Sequence, residues 1–403
     1  MNTHKIISVF LIACCCFLLS GCWDRRELND IALVSGIAID KGKNNKYKMT
    51  AEEIIASELN PKTGGKASPS FVFSLEGDTI AELVRKLNIG FSRKMEYSHM
   101  KTLVIHEDIA REGLLEFLDF MRRNREIRND FNIVVAHEVP AADILKVSNP
   151  LQKVPSFKMW IQLHTMVRDW GGDPDVKLGD IITALLIKGR EPIMASVTIK
   201  GEPKKGNDMD NAKKIQPDAM VVLDGLAVFK GMKMQGFMDI KDTNNYLWIQ
   251  DKIRATTITV HCNKNNAFTV RINNVNSDVK VEYKEGKPEV VINIKGEGHL
   301  AATQCPDDIG DIKTIKKYEN MAANKIKREV EKTIETTQLK FGSDIFGFGE
   351  KLYRQHPKQF EKVVDYWNNE FKKAKVNVHV NIIIHRPELK TNTFLHQLQN
   401  DQG

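Results

Sequence analysis

Asp311-Ile-Lys-Thr-Ile-Lys-Lys-Tyr-Glu-Asn-Met-Ala-Ala-Asn-Lys-Ile-Lys-Arg-Glu-Val-Glu-Lys-Thr-Ile-Glu-Thr-Thr-Gln-Leu339 sets the architecture of the C-terminal half. Ile315, Tyr318, Ala322, Ile326, Val330 and Ile334 recur at helical spacing and line one side of it. At about 1.5 Å per residue the helix is roughly 40 Å long, enough to lie across a sheet. Before it come apolar runs at 219–229, 233–238, 256–262, 268–272, 279–283 and 290–294, separated by turn residues, which predict a strand meander. After it, a helix following Pro357 is predicted to bury Phe360, Val363, Val364, Trp367 and Phe371. The stretch 375–385 then alternates Val376, Val378, Val380, Ile382 and Ile384 against Asn377, His379 and Asn381, as a half-buried strand does. Strands, then helices, then a closing strand predict an α+β domain over 218–390, with a polar, flexible tail at 391–403.

Toward the N-terminus, 201–217 carries Lys204, Lys205, Lys213 and Lys214 without apolar periodicity and reads as a linker. The preceding 150–200, with its prolines, Trp160, Trp170 and the turn Gly171-Gly-Asp-Pro174, reads as a small middle unit ending in a strand near 193–200. Residues 22–149 alternate strands (31–39, 46–55, 71–73, 102–106, 131–136) with one-sided helices, the first capped by Asp78 and others at 114–121 and 141–147. This is a first α+β domain, and the chain as a whole is multi-domain, with mixed and antiparallel sheets flanked by helices. Arg122, Arg123, Arg125 and Arg128 follow its second helix. They suit phospholipid head groups or an acidic partner, and equally a solvated helix end whose cations offset the terminal dipole.

At the start of the chain, Lys5 precedes an apolar run at 6–19, and Leu19-Ser-Gly-Cys22 follows directly. The run is shorter than the ~20 residues that a spanning helix requires, and the pattern predicts a signal peptide over 1–21. A cysteine placed directly after Leu-Ser-Gly has the form of a bacterial lipobox, predicting an S-diacylglyceryl and N-acyl Cys22 as the mature N-terminus. Trp23 is then a candidate interfacial anchor, with Arg25 and Arg26 on head groups; the alternative is a plain flexible tether. The formal charge of +7 falls to +6 once Lys5 leaves, and lysines and acids are interspersed with no nucleic-acid recognition motif. Apart from Cys22, only Cys262 and Cys305 remain past the signal. They can pair in an exported protein, but two separate, mostly buried thiols are the expectation.

The usual constellations of catalysis are missing. There is no G-x-S-x-G elbow, Walker loop or H-E-x-x-H helix, and His137-Glu138 runs into Val139-Pro140. Gly347-Phe-Gly349 lacks a third glycine and a preceding strand, so it is no dinucleotide site. His261-Cys262 with His299 and Cys305 is the one loose set of zinc-type ligands; His379 and His385 stand too far apart to share a metal. Asp307, Asp308 and Asp311 are expected to precede and cap the long helix. The expectation is a non-enzyme with no metal and no cofactor.

Cys22-Trp-Asp-Arg-Arg-Glu-Leu28 followed by Gly36-Ile-Ala-Ile-Asp40 resembles the mature start of the Ger(x)C family of spore-germination lipoproteins. Glu76-Gly-Asp-Thr-Ile80, Ser98-His-Met-Lys101, Asp224-Gly-Leu-Ala-Val-Phe-Lys230 and Asp344-Ile-Phe-Gly-Phe-Gly349 are similar to that family's patterns, as is the Trp367 to Phe371 helix. The pattern departs at His385-Arg-Pro-Glu-Leu389, where a glycine-containing ending is the family form. The resemblance implies a C subunit of a nutrient germinant receptor, held to the outer face of the spore's inner membrane through Cys22. Such a subunit assembles with two integral membrane subunits and carries no catalytic residue. The alternative class is a solute-binding lipoprotein of a transporter, which would show two similar lobes around a cleft.

Overall fold

The computed structural model describes residues 30–60, 62 and 67–385. Cys22, Trp23, Arg25, Arg26, the signal segment and the 391–403 tail lie outside the described residues. A nine-stranded mixed sheet and a four-stranded sheet, both flanked by helices, make the α+β fold that the sequence predicts.

The first sheet starts from β1 (Ile31–Lys41) and β2 (Tyr47–Ile54), antiparallel across a tight turn, with β3 (Ser70–Gly77) outside β2. On the other side of β1 the strands run parallel: β5 (Thr102–His106), β6 (Asn132–Ala136) and β7 (Ile193–Gly201), with short β4 (Lys94–Glu96) beside the start of β1. Residues 133–136 are buried on both faces, the mark of a central parallel strand. Leu103, Ile105, Ile133 and Val135 face α1 (Ile80–Lys86), α2 (Glu107–Glu112) and α3 (Leu115–Arg123). Val104 and Val134 face α4 (Ala141–Ile144) and α5 (Pro155–Asp169). A Cβ on Gly36 would come within 2.8 Å of the Ser156 Cβ, so the glycine lets α5 approach β1. Asp40, at the end of the same motif, accepts the N–H groups of Ala141 (2.7 Å) and Ala142 (2.9 Å) and so caps α4.

Three expectations change here. Helix α1 is capped by Thr79, which accepts the Glu82 N–H, while Asp78 accepts the Lys46 N–H instead. The middle unit is no separate body: α5, α6 (Leu178–Leu186) and β7 are layers of the first sheet. The linker folds into α7 (Pro203–Gly206) and α8 (Met209–Lys213), pinned by buried Asn211 to the carbonyls of Ser148 (2.9 Å) and Ala219 (3.0 Å). Ser148 also donates to the Gly206 and Asp208 carbonyls (2.9 and 2.6 Å), so bonds to main-chain carbonyls dock the polar stretch together with the Asn211 amide.

β8 (Ala219–Lys230) and β9 (Lys233–Met238), which the sequence assigned to the C-terminal meander, close the first sheet, β8 antiparallel to β7 and β9 antiparallel to β8. Their apolar runs serve either sheet equally well, and strand pattern does not name the partner. A helix, α9 (Ile240–Ile249), follows within the supposed meander. The second sheet is then β10 (Thr256–His261), β11 (Ala267–Lys284) and β12 (Lys287–Thr303), antiparallel, with β13 (Lys375–His385) parallel to β12. The predicted runs at 268–272 and 279–283 are one long strand, bent at a register shift between Ile272 and Asn274.

Helix α10 (Ile312–Thr336) crosses this sheet on its predicted apolar stripe, with Asp311 accepting the Lys313 N–H at its start. Buried Glu319 on the same helix accepts the Ile384 N–H at 2.9 Å and ties down the outer strand. The helix predicted after Pro357 is instead three short turns, including α12 (Pro357–Phe360) and α13 (Trp367–Phe371), preceded by α11 (Phe348–Gln355). Phe360, Val363, Trp367 and Phe371 are buried as expected; Val364 is only partly so.

Cys262 and Cys305 form a disulfide, S–S 2.05 Å, which corrects the expectation of separate thiols. The register explains it. His261 lies opposite Ala267, and Phe268 opposite Thr303, so the end of β10 and the end of β12 meet at one corner of the sheet.

Candidate functional site

Two segments distant in sequence are laced together where the sheets meet: 188–192, leading into β7, and 343–349, leading into α11. Asp344 is fully buried. Its Oδ1 accepts the Gly347 N–H (2.9 Å), and its Oδ2 accepts the Gly349 N–H (2.9 Å) and Trp367 Nε1–H (2.8 Å). Burial pushes this carboxyl up to about 6, against the pull of those donors. The Asp344 carbonyl accepts the Glu191 N–H at 2.8 Å. The Glu191 carboxylate accepts Asn368 Nδ2–H and the Gly231 N–H, both at 2.5 Å, and Ser343 donates to the Phe229 carbonyl.

Arg190 lies across the join. It meets Glu350 at 3.2 Å and donates to Gln250 Oε1 at 2.8 Å, and Gln250 in turn donates to the Phe346 carbonyl. Gly347 sits at φ +74°, and a Cβ there would fall 2.6 Å from Arg190 Nε, so glycine answers both demands. The segment's phenylalanines extend the apolar core: Phe346 packs 6.0 Å from Tyr246 and 5.3 Å from Phe348, centroid to centroid.

A cleft of about 440 Å³ opens beside the join, edged by Lys188, Lys230, Asp365, Tyr366 and Asn369, and one of about 200 Å³ lies on the far side of Arg190. No Ser, Cys or His lines the larger one. Its charged lining, Lys188, Glu191, Lys230 and Asp365, gives the joint polar walls.

Elsewhere, His137 Nδ1 lies 2.6 Å from Asp224 Oδ2, the ring stacked 3.8 Å from that of Phe237. This pair staples the end of β6 to β8 and corresponds to no catalytic set. Glu52 is buried with its carboxylate accepting Ser35 Oγ–H (2.8 Å), Ser70 Oγ–H (3.0 Å) and the Ser156 N–H (3.3 Å). Burial raises its pKa despite those bonds. His379 and His385 are exposed on β13, and the two loose cysteines are joined to each other. Among the described residues no group of three or more His, Cys, Asp or Glu can hold a metal ion. Asp307 is spent on Lys317 (3.0 Å) and Tyr318 (3.2 Å). Sequence reasoning named the 344–349 motif but missed Arg190, Glu191 and Gln250; a lone charged pair before a strand carries no signal of a partner 150 residues away.

The family model described as "Spore germination protein N-terminal domain" matches residues 24–199, and that described as "Spore germination B3/ GerAC like, C-terminal" matches 224–388. The chain is 29% identical to spore germination protein KC of Bacillus subtilis (strain 168), over 99% of this chain and 100% of that one. It is 26% identical to the putative spore germination protein YfkR of the same organism, over 93% and 94% respectively. The crystal structure of the GerBC protein superposes with a TM-score of 0.54 at 19% identity, covering 87% of this chain and 96% of that chain. That likeness establishes a shared fold.

Proposed function

Since the chain belongs to the Ger(x)C family of spore-germination proteins and has a role in germination, we propose that it is the non-enzymatic, lipid-anchored subunit of a nutrient germinant receptor. It assembles with two integral membrane subunits on the outer face of the spore's inner membrane. The observation that carries this reading is similarity to spore germination proteins along the whole chain. Cys22 holds the acyl groups, with Trp23 at the interface and Arg25 and Arg26 on head groups. Two or more acyl chains give lasting attachment where one would exchange. The reading is supported by the lipobox pattern, and no helix among the described residues is long and apolar enough to cross a membrane. The transporter-lipoprotein reading calls for two similar lobes, whereas the sheets here have nine and four strands with different pairing.

The test is recovery of the anchored protein from spore inner membranes. Two co-purifying integral membrane subunits and an acylated N-terminal Cys22 peptide are expected, and Cys22→Ala should accumulate as an unlipidated precursor. A transport permease as sole companion, or normal maturation of the Cys22→Ala chain, refutes the proposal.

A further inference from the structure

At the end of the first sheet where β1 begins, apolar and cationic side chains gather on one exposed rim. Ile31 is in register with Lys94. Ile89 is 78% exposed, Leu59 41% and Phe71 39%, and the Phe71 ring packs 5.2 Å from that of Phe91. Around them are Arg85, Arg93, Lys94, Arg122, Arg123, Arg125 and Arg128, all exposed.

Helices α1 and α3 both run toward this rim. Lys46 holds Glu116 at the start of α3 (2.8 Å), while Arg85 and Lys94 share Glu126 beyond its end (3.6 and 3.7 Å). Cations in the last helical turns offset the helix dipole, which accounts for Arg85, Arg122 and Arg123. It does not account for Arg93, Lys94, Arg125 and Arg128, which lie outside both helices. Ion pairing does not absorb them all either. Arg123 meets Asp119 and Arg128 meets Asp130, but among the described residues no carboxylate lies within 4.0 Å of Arg122 or Arg125. An exposed isoleucine ringed by surplus cations suits one chemistry in particular, an anionic lipid surface.

The chain outside the structure points to the same occupant. Cys22 is eight residues before Asp30, and eight extended residues span at most about 28 Å. A bilayer that holds Cys22 is thus within reach of this rim.

We propose that the rim of Leu59, Phe71, Ile89, Lys94, Arg122 and Arg125 docks directly on anionic phospholipid and sets the orientation of the body above the membrane. This rests on the lipid-anchor reading, and its test separates the two. The Cys22 thiol of the mature chain is coupled to a maleimide lipid in vesicles of phosphatidylcholine alone or with phosphatidylglycerol, and amide hydrogen exchange is followed by mass spectrometry. Slower exchange at 88–94 and 122–128 is expected on the anionic vesicles only, with the 42–46 turn at the opposite end of β1 unchanged. Arg122→Gln/Arg123→Gln/Arg125→Gln should lower the docked fraction roughly a hundredfold, at about fivefold per cation near an anionic surface. Equal exchange on both vesicle types overturns the proposal. So does protection that appears only when the integral membrane subunits are added, which would make the rim a protein interface. Whether native Cys22 is acylated is read separately, from the mass of the N-terminal peptide.

Discussion

Asp344→Asn tests the physics of the joint, because two opposed terms act on one carboxylate. The amide keeps its oxygen best at the Oδ2 position, where it retains the Gly349 and Trp367 donors. Its NH2 then faces the Gly347 N–H, leaving a buried donor unsatisfied at about 1–3 kcal/mol. Against that stands the penalty of the buried charge. The Asp344 pKa rises from 3.8 to about 6 on folding, chiefly by burial. A folded pKa above the unfolded one means that the unfolded chain releases its proton first. The group's contribution is thus fully present below pH 3.8 and is lost as pH rises through 6, by about 3 kcal/mol in all. Asparagine does not titrate. About 1 kcal/mol of that is already lost at pH 4.5, so the substitution should cost about 0–2 kcal/mol there and be neutral, or stabilise by up to about 2 kcal/mol, at pH 8. Urea unfolding of wild type and variant at both pH values measures it, and other titrating groups such as Asp173 cancel in the difference. A cost that is equal at the two pH values, or larger at pH 8, refutes the argument; the donors would then fully offset burial.

Three further outcomes follow from single contacts. Replacing Cys262 and Cys305 by serine should destabilise the second sheet by about 4 kcal/mol, from the loop entropy of a separation of 43 residues; alkylation under non-reducing conditions should find neither thiol free, and labelling of both would contradict the bridge. Asp40→Ala removes the acceptor of two buried N–H groups and should cost about 2 kcal/mol in the same unfolding assay; a loss below 0.5 kcal/mol shows the cap to be dispensable. Gly347→Ala should cost about 1–2 kcal/mol for the left-handed backbone, with a further loss because the methyl displaces Arg190; a variant as stable as wild type means that the segment readjusts.

What the sequence makes legible here is whatever a single element can encode. The stripe from Ile315 to Ile334 gives α10 almost to the residue, and the alternation of 375–385 gives β13. The four buried residues 133–136 declare a central strand by having no polar face. Pairing is different, because it is a property of two elements, and β8 shows why. Its Val221 packs on one face of the first sheet and its Leu226 and Val228 on the other, so apart from Asp224 the run offers apolar residues to both faces and fits either interior. Only the neighbours decide, and they lie at β7, some 20 residues back, across a stretch that looks like a linker until Asn211 is seen bonding Ser148 and Ala219. The joint follows the same logic. Asp344, Gly347 and Gly349 stand out in sequence because a carboxylate and two glycines among phenylalanines are costly to bury without reason. The reason is Arg190 and Glu191, whose charges look ordinary at the head of a strand. A buried carboxylate with three donors cannot shift by an ångström without stranding one of them. The two sheets share one continuous apolar core across this point, and the bonds that cross it are those of Arg190 to Glu350, of Glu191 to the Asp344 carbonyl and Asn368, and of Ser343 to the Phe229 carbonyl, so parting the two segments would strand buried donors and acceptors on both sides at once.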